Sequence, residues 1–403
     1  MATLRIDRTA ADPDAVICAI EQAEGYIASI CFKTGPPETV GVELEYTVHA
    51  SANPTTYIDP DRMCQALGDH APPTLRPGAA SLPLRHGSAV TLEPGGQVEL
   101  STLPQRSLTA LHEAVGADLA ELSERLGRAG LELGGTGIDP HRPPRRMLRT
   151  PRYDAMAATF ARRNDAGRTM MCSTAGLQVC LDAGPPSRWA ALHDLGPPLI
   201  ALFANSRHHA GHDTGWASAR MRTWLAMDPS RTRPVPDGDD PALRWARYAM
   251  DAQLLCVRRD DGPWTAPAGV TFADWVDGAL GHPPTYADLD YHLSTLFPPV
   301  RPRGYLEVRY LDTLRGADWF APAAILTALL ADEPTIDRVR ELCAPVAGQW
   351  ALAARLGTAD PALARAAAAV RDLALDRLTG QHLPAALLQD VIEGSTRNEP
   401  TGA

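Results

Sequence analysis

Five short segments of this chain alternate apolar and polar residues with period two, and all but one carry glutamate on the polar side. In "TVGVELEYTVHA" (residues 39–50), Val42, Leu44 and Tyr46 point one way and Glu43 and Glu45 the other. Residues two apart on a strand lie roughly 6.5–7 Å from each other. Two ionised carboxylates at that distance repel by about 2.4 kcal/mol at an effective dielectric of 20. Either water on an exposed sheet face screens this repulsion, or a bound cation reverses it.

The other segments repeat the pattern. Glu93 ends "SAVTLEP"; Gln97, Glu99 and Ser101 share a face of "QVELST", opposite Val98 and Leu100. In "TAGLQVCLD", Gln178 and Cys180 oppose Leu177, Val179 and Leu181; in "YLEVRYLD", Glu307 and Arg309 oppose Leu306, Val308 and Tyr310. The turn Pro94-Gly95-Gly96 predicts a hairpin between the second and third segments. Helical spacing fills the intervals: Pro13–Cys31, a long helix after Ser107 that stops at Gly130, Tyr153–Arg163, "WAALHDLGPPLIALFANS", "GWASARMRTWLA", Pro241–Cys256, Phe272–Asp277 and Tyr286–Leu296. Strands scattered from residue 40 to residue 312 among such insertions predict an α+β fold with one mainly antiparallel sheet, not the steady alternation of a doubly wound fold. The composition shifts near Arg315, so we expect a catalytic α+β core over residues 1–317. An Ala/Leu-rich helical portion over 318–403 packs on the same domain and frays after about residue 394.

Composition narrows the chemistry. Lys33, after Phe32, is the only lysine, so the Gly-Lys-Ser/Thr of a Walker A loop is absent. Phosphate must be handled by arginine, backbone N–H groups and carboxylate-held metal. A net charge of -10 argues against general nucleic-acid binding. No run of about 20 apolar residues marks a membrane span, and "MATLRIDRTAADPDAV" has no apolar signal core, so the expectation is a cytoplasmic protein. Seven scattered cysteines without a CxxC pair read as reduced thiols.

A single strand glutamate is most often a solvated outer-face residue. Several on neighbouring strands, with almost no lysine to pair them, destabilise a sheet unless cations intervene. The pattern therefore points to two or more Mg²⁺ ions held by carboxylates, open to the phosphates of a nucleotide.

The blocks "GVELE", "GGQVELS", "MMCSTAGLQVCLD", "ALFANS", "GWASARMRTW" and "YLEVRYLD", in this order, resemble the glutamate–cysteine ligase family, in particular its bacterial branch that serves ergothioneine synthesis. The resemblance implies a glutamine-synthetase-like curved sheet forming an active-site funnel with helices outside. It implies ATP- and Mg²⁺-dependent joining of the γ-carboxylate of L-glutamate to the amine of L-cysteine through a γ-glutamyl phosphate. By the same resemblance Glu43, Glu45, Glu93, Glu99 and Glu307 are metal ligands, with Gln178 where some relatives carry a histidine. Glu99 also serves ATP, and Glu307 and Arg309 are catalytic, Arg309 contacting phosphate. Arg220 or Arg222 holds the glutamate α-carboxylate, with Asn205 and Tyr153 in the substrate set. A carboxylate–amine ligase of the same fold with another acceptor, or a non-catalytic metal- or nucleotide-binding protein, stays open at this point.

Other signals carry less. "HHAGH" (His208, His209, His212) has neither an HExxH frame nor a third ligand, and reads as a loop. "GGTG" at Gly134–Gly137 reads as a strand-end turn, and "HRPPRR" as a solvated loop or an anion contact. Cys172 and Cys180 read as small buried residues rather than nucleophiles.

Overall fold

Six strands collected across the chain pair into a single antiparallel sheet in the computed structural model, which describes residues 12–32, 35, 37–235, 238 and 240–396. In chain order they are β1 (Val40–Tyr46), β2 (Ala89–Leu92), β3 (Val98–Ser101), β4 (Gly176–Asp182), β5 (Val300–Pro302) and β6 (Tyr305–Asp312). The sheet runs β2-β3-β1-β4-β6-β5. This is the expected α+β class with an antiparallel sheet. The β2–β3 hairpin closes as the turn chemistry predicts: Glu93 N–H donates to the Gln97 carbonyl, and Gly96 takes φ 91°, a conformation that favours glycine.

Alternation decides which side faces the core. Val42, Leu44, Tyr46, Val98, Leu100, Leu177, Val179, Leu181, Leu306 and Val308 are all buried on one side. On that side Tyr310 of β6 meets Trp350 edge-on, with ring centroids 5.6 Å apart, and Trp350 packs so closely on Gly196 that a Cβ there would fall 2.0 Å from its ring. The strand-borne glutamates are left on the opposite side.

Local signals account for most helix boundaries. Ser107 Oγ accepts from the Ala110 N–H and caps the helix Leu108–Arg128. The first helix differs: it begins at Ile20, not Pro13. Residues just before it are drawn into tertiary pairing, Ile17 N–H donating to the Pro284 carbonyl and Val16 bridging to Thr285. The last helix, Ala385–Thr396, also differs from expectation, since it stays regular past residue 394. Gly394 lies against Ala321 and Ser395 is 1% exposed, so packing holds the turn that composition alone reads as frayed. The rest of that polar tail, and Lys33, lie outside the described residues.

"RHHAGHDT" folds as a small hairpin, His208–His209 against His212–Asp213. All seven cysteines are free thiols. Among the described residues no helix is long and apolar enough to cross a membrane.

Candidate active site

Sheet register brings the acidic residues into rows. Glu45 of β1 stands opposite Glu99 of β3; Glu43 stands opposite Ser101 on one side and Gln178 of β4 on the other. Glu307 of β6 stands opposite Cys180 of β4 and Arg301 of β5. Glu93 closes β2 beside the hairpin turn and is close enough to feel the charges of Glu99 and Glu45. Tyr153 reaches the same corner, within 3.4 Å of the Leu92 carbonyl, and burial, with Glu93 adding, pushes its phenol up.

Four of these carboxylates lack a salt bridge. Among the described residues, Glu43, Glu45, Glu93 and Glu99 have no arginine or histidine within ion-pair distance. Their charges stay close together. Burial, then Glu99 and Glu307, pushes Glu43 up to about 8. Burial raises Glu45, with Arg220 opposing and Glu99 adding. Burial, then Glu99 and Glu45, raises Glu93 well above the carboxylate range. Glu45 is partly satisfied, accepting from Gly176 N–H at 2.7 Å and Gln178 Nε2 at 2.8 Å.

Glu307 is the opposite case, since it is already paired with two arginines. Arg301 grips it through Nε–Oε2 at 2.5 Å and Nη2–Oε1 at 2.9 Å, while Arg309 Nη1 donates to Oε1 at 2.8 Å. Burial pushes its carboxyl up, but Arg301 and Arg309 outweigh it and hold the group at about 2. Both oxygens are spent on arginines. Gln178 is likewise engaged: Nε2 donates to Glu45, and Oε1 accepts from Arg309 Nη1 at 2.5 Å. Its oxygen binds a guanidinium here rather than standing free for a metal. A continuous chain results, Glu45–Gln178–Arg309–Glu307–Arg301.

A β-bulge aims Arg309. The β6–β4 register shifts between Val308 and Leu311, and Arg309 N–H donates instead to the Pro299 carbonyl. The Arg309 guanidinium lies over Trp224 at 5.5 Å and Phe297 at 5.9 Å, and its Nε has no hydrogen-bond partner. Arg220, 1% exposed, lies over the same Trp224 ring at 5.6 Å and donates through Nη2 to the Arg309 carbonyl. Its Nε is also unpaired. Ser218 caps the helix Ala219–Met227 that carries Arg220, and both Ser218 and Ser206 donate to Asp312 at the end of β6.

The two arginines of "SARMRTW" part ways. Arg220 is inside, against Gly176 and near Glu45, whereas Arg222 is exposed over Trp216 and does not join the cluster. Asn205 is held by backbone groups. Its Nδ2 donates to the Gly135 and Thr313 carbonyls and its Oδ1 accepts from Gly137 N–H, so its amide ties loops together instead of facing a ligand. Arg301 and Asp312 were not singled out from sequence. Arg301 sits in "FPPVRPRG", where prolines leave no alternation to read.

Magnesium fits the four unpaired carboxylates by the chemistry of the donors. They are hard oxygen ligands, Glu45 buried and Glu43, Glu93 and Glu99 half-buried, and their charges repel one another. Among the described residues, no three carboxylate, imidazole or thiol groups close round one point. Mg²⁺ does not require that, since it ordinarily takes one or two carboxylates and completes its shell with water and phosphate oxygen.

An acidic row flanked by two desolvated, partly unpaired arginines suits an enzyme that binds a metal-bound polyphosphate. The chain matches glutamate–cysteine ligase family 2 (GCS2) from residue 39 to residue 395. It is 43% identical over 379 residues to a protein named glutamate–cysteine ligase EgtA from Mycolicibacterium smegmatis, covering 91% of this chain and 85% of that one. The Mycobacterium tuberculosis protein of the same name is 40% identical over the same shares. This chain belongs to the glutamate–cysteine ligase family 2. In fold it is similar to a glutamate–cysteine ligase from Francisella tularensis in complex with AMP, with TM-score 0.50, 11% identity, and 90% of this chain and 82% of that chain covered. A bifunctional glutathione synthetase from Pasteurella multocida gives TM-score 0.52 at 13% identity, covering 93% of this chain and 49% of that chain.

Proposed function

We propose that the protein joins the γ-carboxylate of L-glutamate to the amine of L-cysteine with ATP, giving γ-L-glutamyl-L-cysteine, ADP and phosphate, in the cytoplasm and for ergothioneine synthesis. The observation that carries this reading is the row of unpaired carboxylates beside two arginines whose Nε donors lack partners. Glu43, Glu45, Glu93 and Glu99 would hold two or more Mg²⁺ ions. Ions held there would supply positive charge to offset the negative charge of the ATP phosphates.

The chain's own side chains do the rest. A carboxylate does not condense with an amine in water, so the glutamate γ-carboxylate attacks the γ-phosphorus and ADP leaves. Arg309 donates to the oxygens of the phosphoryl group in transfer, its guanidinium kept dry by Trp224 and Phe297. Glu307 and Gln178 orient Arg309 from the other side. Arg220 holds the glutamate α-carboxylate, with Tyr153 bordering the pocket near Glu93. The cysteine amine then attacks the acyl carbon, loses its proton, and phosphate departs. Water must be excluded until then, because it would hydrolyse the acyl phosphate.

A ligase of this fold with another amine acceptor is the second reading. Purified protein with Mg²⁺, ATP, glutamate and a panel of amines separates the two. Phosphate release that depends on cysteine supports the first, and release with a different amine alone supports the second.

A further inference from the structure

The hairpin turn at residues 94–96 borders a cleft of about 170 Å³ that none of the roles above uses. Its position follows from register. Gln97, which lines it, precedes Glu99 by two residues on the same face, so this side of the cleft stands roughly 7 Å along the strand from Glu99. It is smaller than the ~300–1,000 Å³ typical of pockets for larger ligands, a size that suits one small amino acid.

Its lining is selective. Of three arginines there, Arg142 is bound to Asp139 and to the Val48 and Thr56 carbonyls, and Arg146 to Asp154 and the Tyr153 carbonyl. Arg145 has no hydrogen bond or ion pair among the described residues, and its guanidinium lies 4.8 Å from the Tyr57 ring centroid. It is a charge without a counterion at the rim. Gln97, 3% exposed, supplies the complement: its Oε1 is buried without a donor, 2.6 Å from where a Gly95 Cβ would stand. Met147 folds over Gly96, its sulfur 2.9 Å from the Cβ position there, and Cys172 also borders the cleft. One anion site, one buried acceptor and a soft, polarisable wall match a zwitterion with a short side chain.

Resting on the reaction proposed above, we infer that this cleft seats the acceptor amino acid. Its α-carboxylate lies on Arg145, its amine faces Gln97 Oε1 and the acidic row, and its side chain packs against Met147. The residues that choose the acceptor therefore lie in the "HRPPRRM" loop and the hairpin turn.

The test is steady-state kinetics on Arg145→Gln, with Arg145→Lys as the conservative variant and Arg149→Gln as a control for local charge. Arg145→Gln should raise KM for cysteine about tenfold or more, with KM for glutamate and ATP within about twofold. Arg145→Lys should recover part of the loss. An unchanged cysteine KM, or a raised glutamate KM in its place, overturns the inference. Calorimetric titration of cysteine alone reads the cleft without turnover. Cysteine binding that Arg145→Gln weakens would support the cleft even if the wild type proved inactive, in which case the reaction and not the cleft would fall. No cysteine heat with the wild type counts against the cleft.

Discussion

Arg301 holds Glu307 through both carboxylate oxygens, at 2.5 and 2.9 Å, where two antiparallel strands set the residues directly opposite each other. The pair is almost fully buried, Glu307 at 0% and Arg301 at 6% exposure. Breaking a buried pair from one side leaves an uncompensated charge, at a cost of about 3–5 kcal/mol. Arg301→Met should lower unfolding free energy by that order in a urea titration, and Glu307→Gln, which strands both Arg301 and Arg309, should cost stability on the same scale and abolish turnover. A stable, fully active Arg301→Met protein would remove the pair from the site's architecture.

Gln178 bridges Glu45 to Arg309 with one amide. Gln178→Leu keeps the volume and removes both hydrogen bonds, leaving Glu45 Oε1 and Arg309 short of a partner. On the proposed mechanism Arg309 acts in the transition state, so the expected loss is mainly in kcat, about 10²-fold, with KM for glutamate little changed. A pure KM effect would place the bridge in substrate binding instead.

The legible part of this molecule was its alternation. Glu43, Glu45 and Glu99 could be assigned to one face because Val42, Leu44, Val98 and Leu100 mark the other. β6 was read to its exact ends, Tyr305–Asp312. What escaped depends on tertiary pairing. Arg301 lies on a three-residue strand between prolines, too short for periodicity, and acquires its role only from the β5–β6 register. The partners of Asn205 could not be read either, because a motif shows a side chain's type and not its neighbours; three backbone groups bond its amide. The bulge that aims Arg309 leaves no mark in "YLEVRYLD".

Gly176 offers a way to move Arg220, the arginine proposed to hold glutamate, without mutating it. A Cβ at this position would lie 2.2 Å from Arg220 Nη2, and Arg220 has no room to retreat at 1% exposure. Gly176→Ala should raise KM for glutamate roughly 10–100-fold, the scale of lost charge-assisted hydrogen bonds, with KM for cysteine unaffected. Arg222→Gln, on the exposed side of the same helix, should stay within about twofold of wild type. The reverse ranking would exchange the two arginines' roles.

His292 provides a pH signature away from the site. It is buried in the helix Tyr286–Leu293, its Nε2 2.8 Å from the Ala249 carbonyl, and burial depresses its pKa from 6.5 to about 3. The unfolded chain therefore binds a proton near pH 6.5 that the folded chain refuses. Stability from the neutral ring is complete above pH 6.5 and is lost as pH falls toward 3. Between pH 7 and 5 wild type should lose about 2 kcal/mol more than His292→Gln. Parallel urea midpoints for the two proteins across that range would contradict the assignment.

The central claim is that buried glutamates from separate strands share a metal-bound nucleotide, and metal stoichiometry tests it most directly. Titration of Mn²⁺ by electron paramagnetic resonance, with a non-hydrolysable ATP analogue present, should give two or more tight ions per chain, and fewer in Glu45→Gln and Glu99→Gln. A wild-type chain that binds no more Mn²⁺ than the analogue alone, or variants that bind as many ions as wild type, would contradict it.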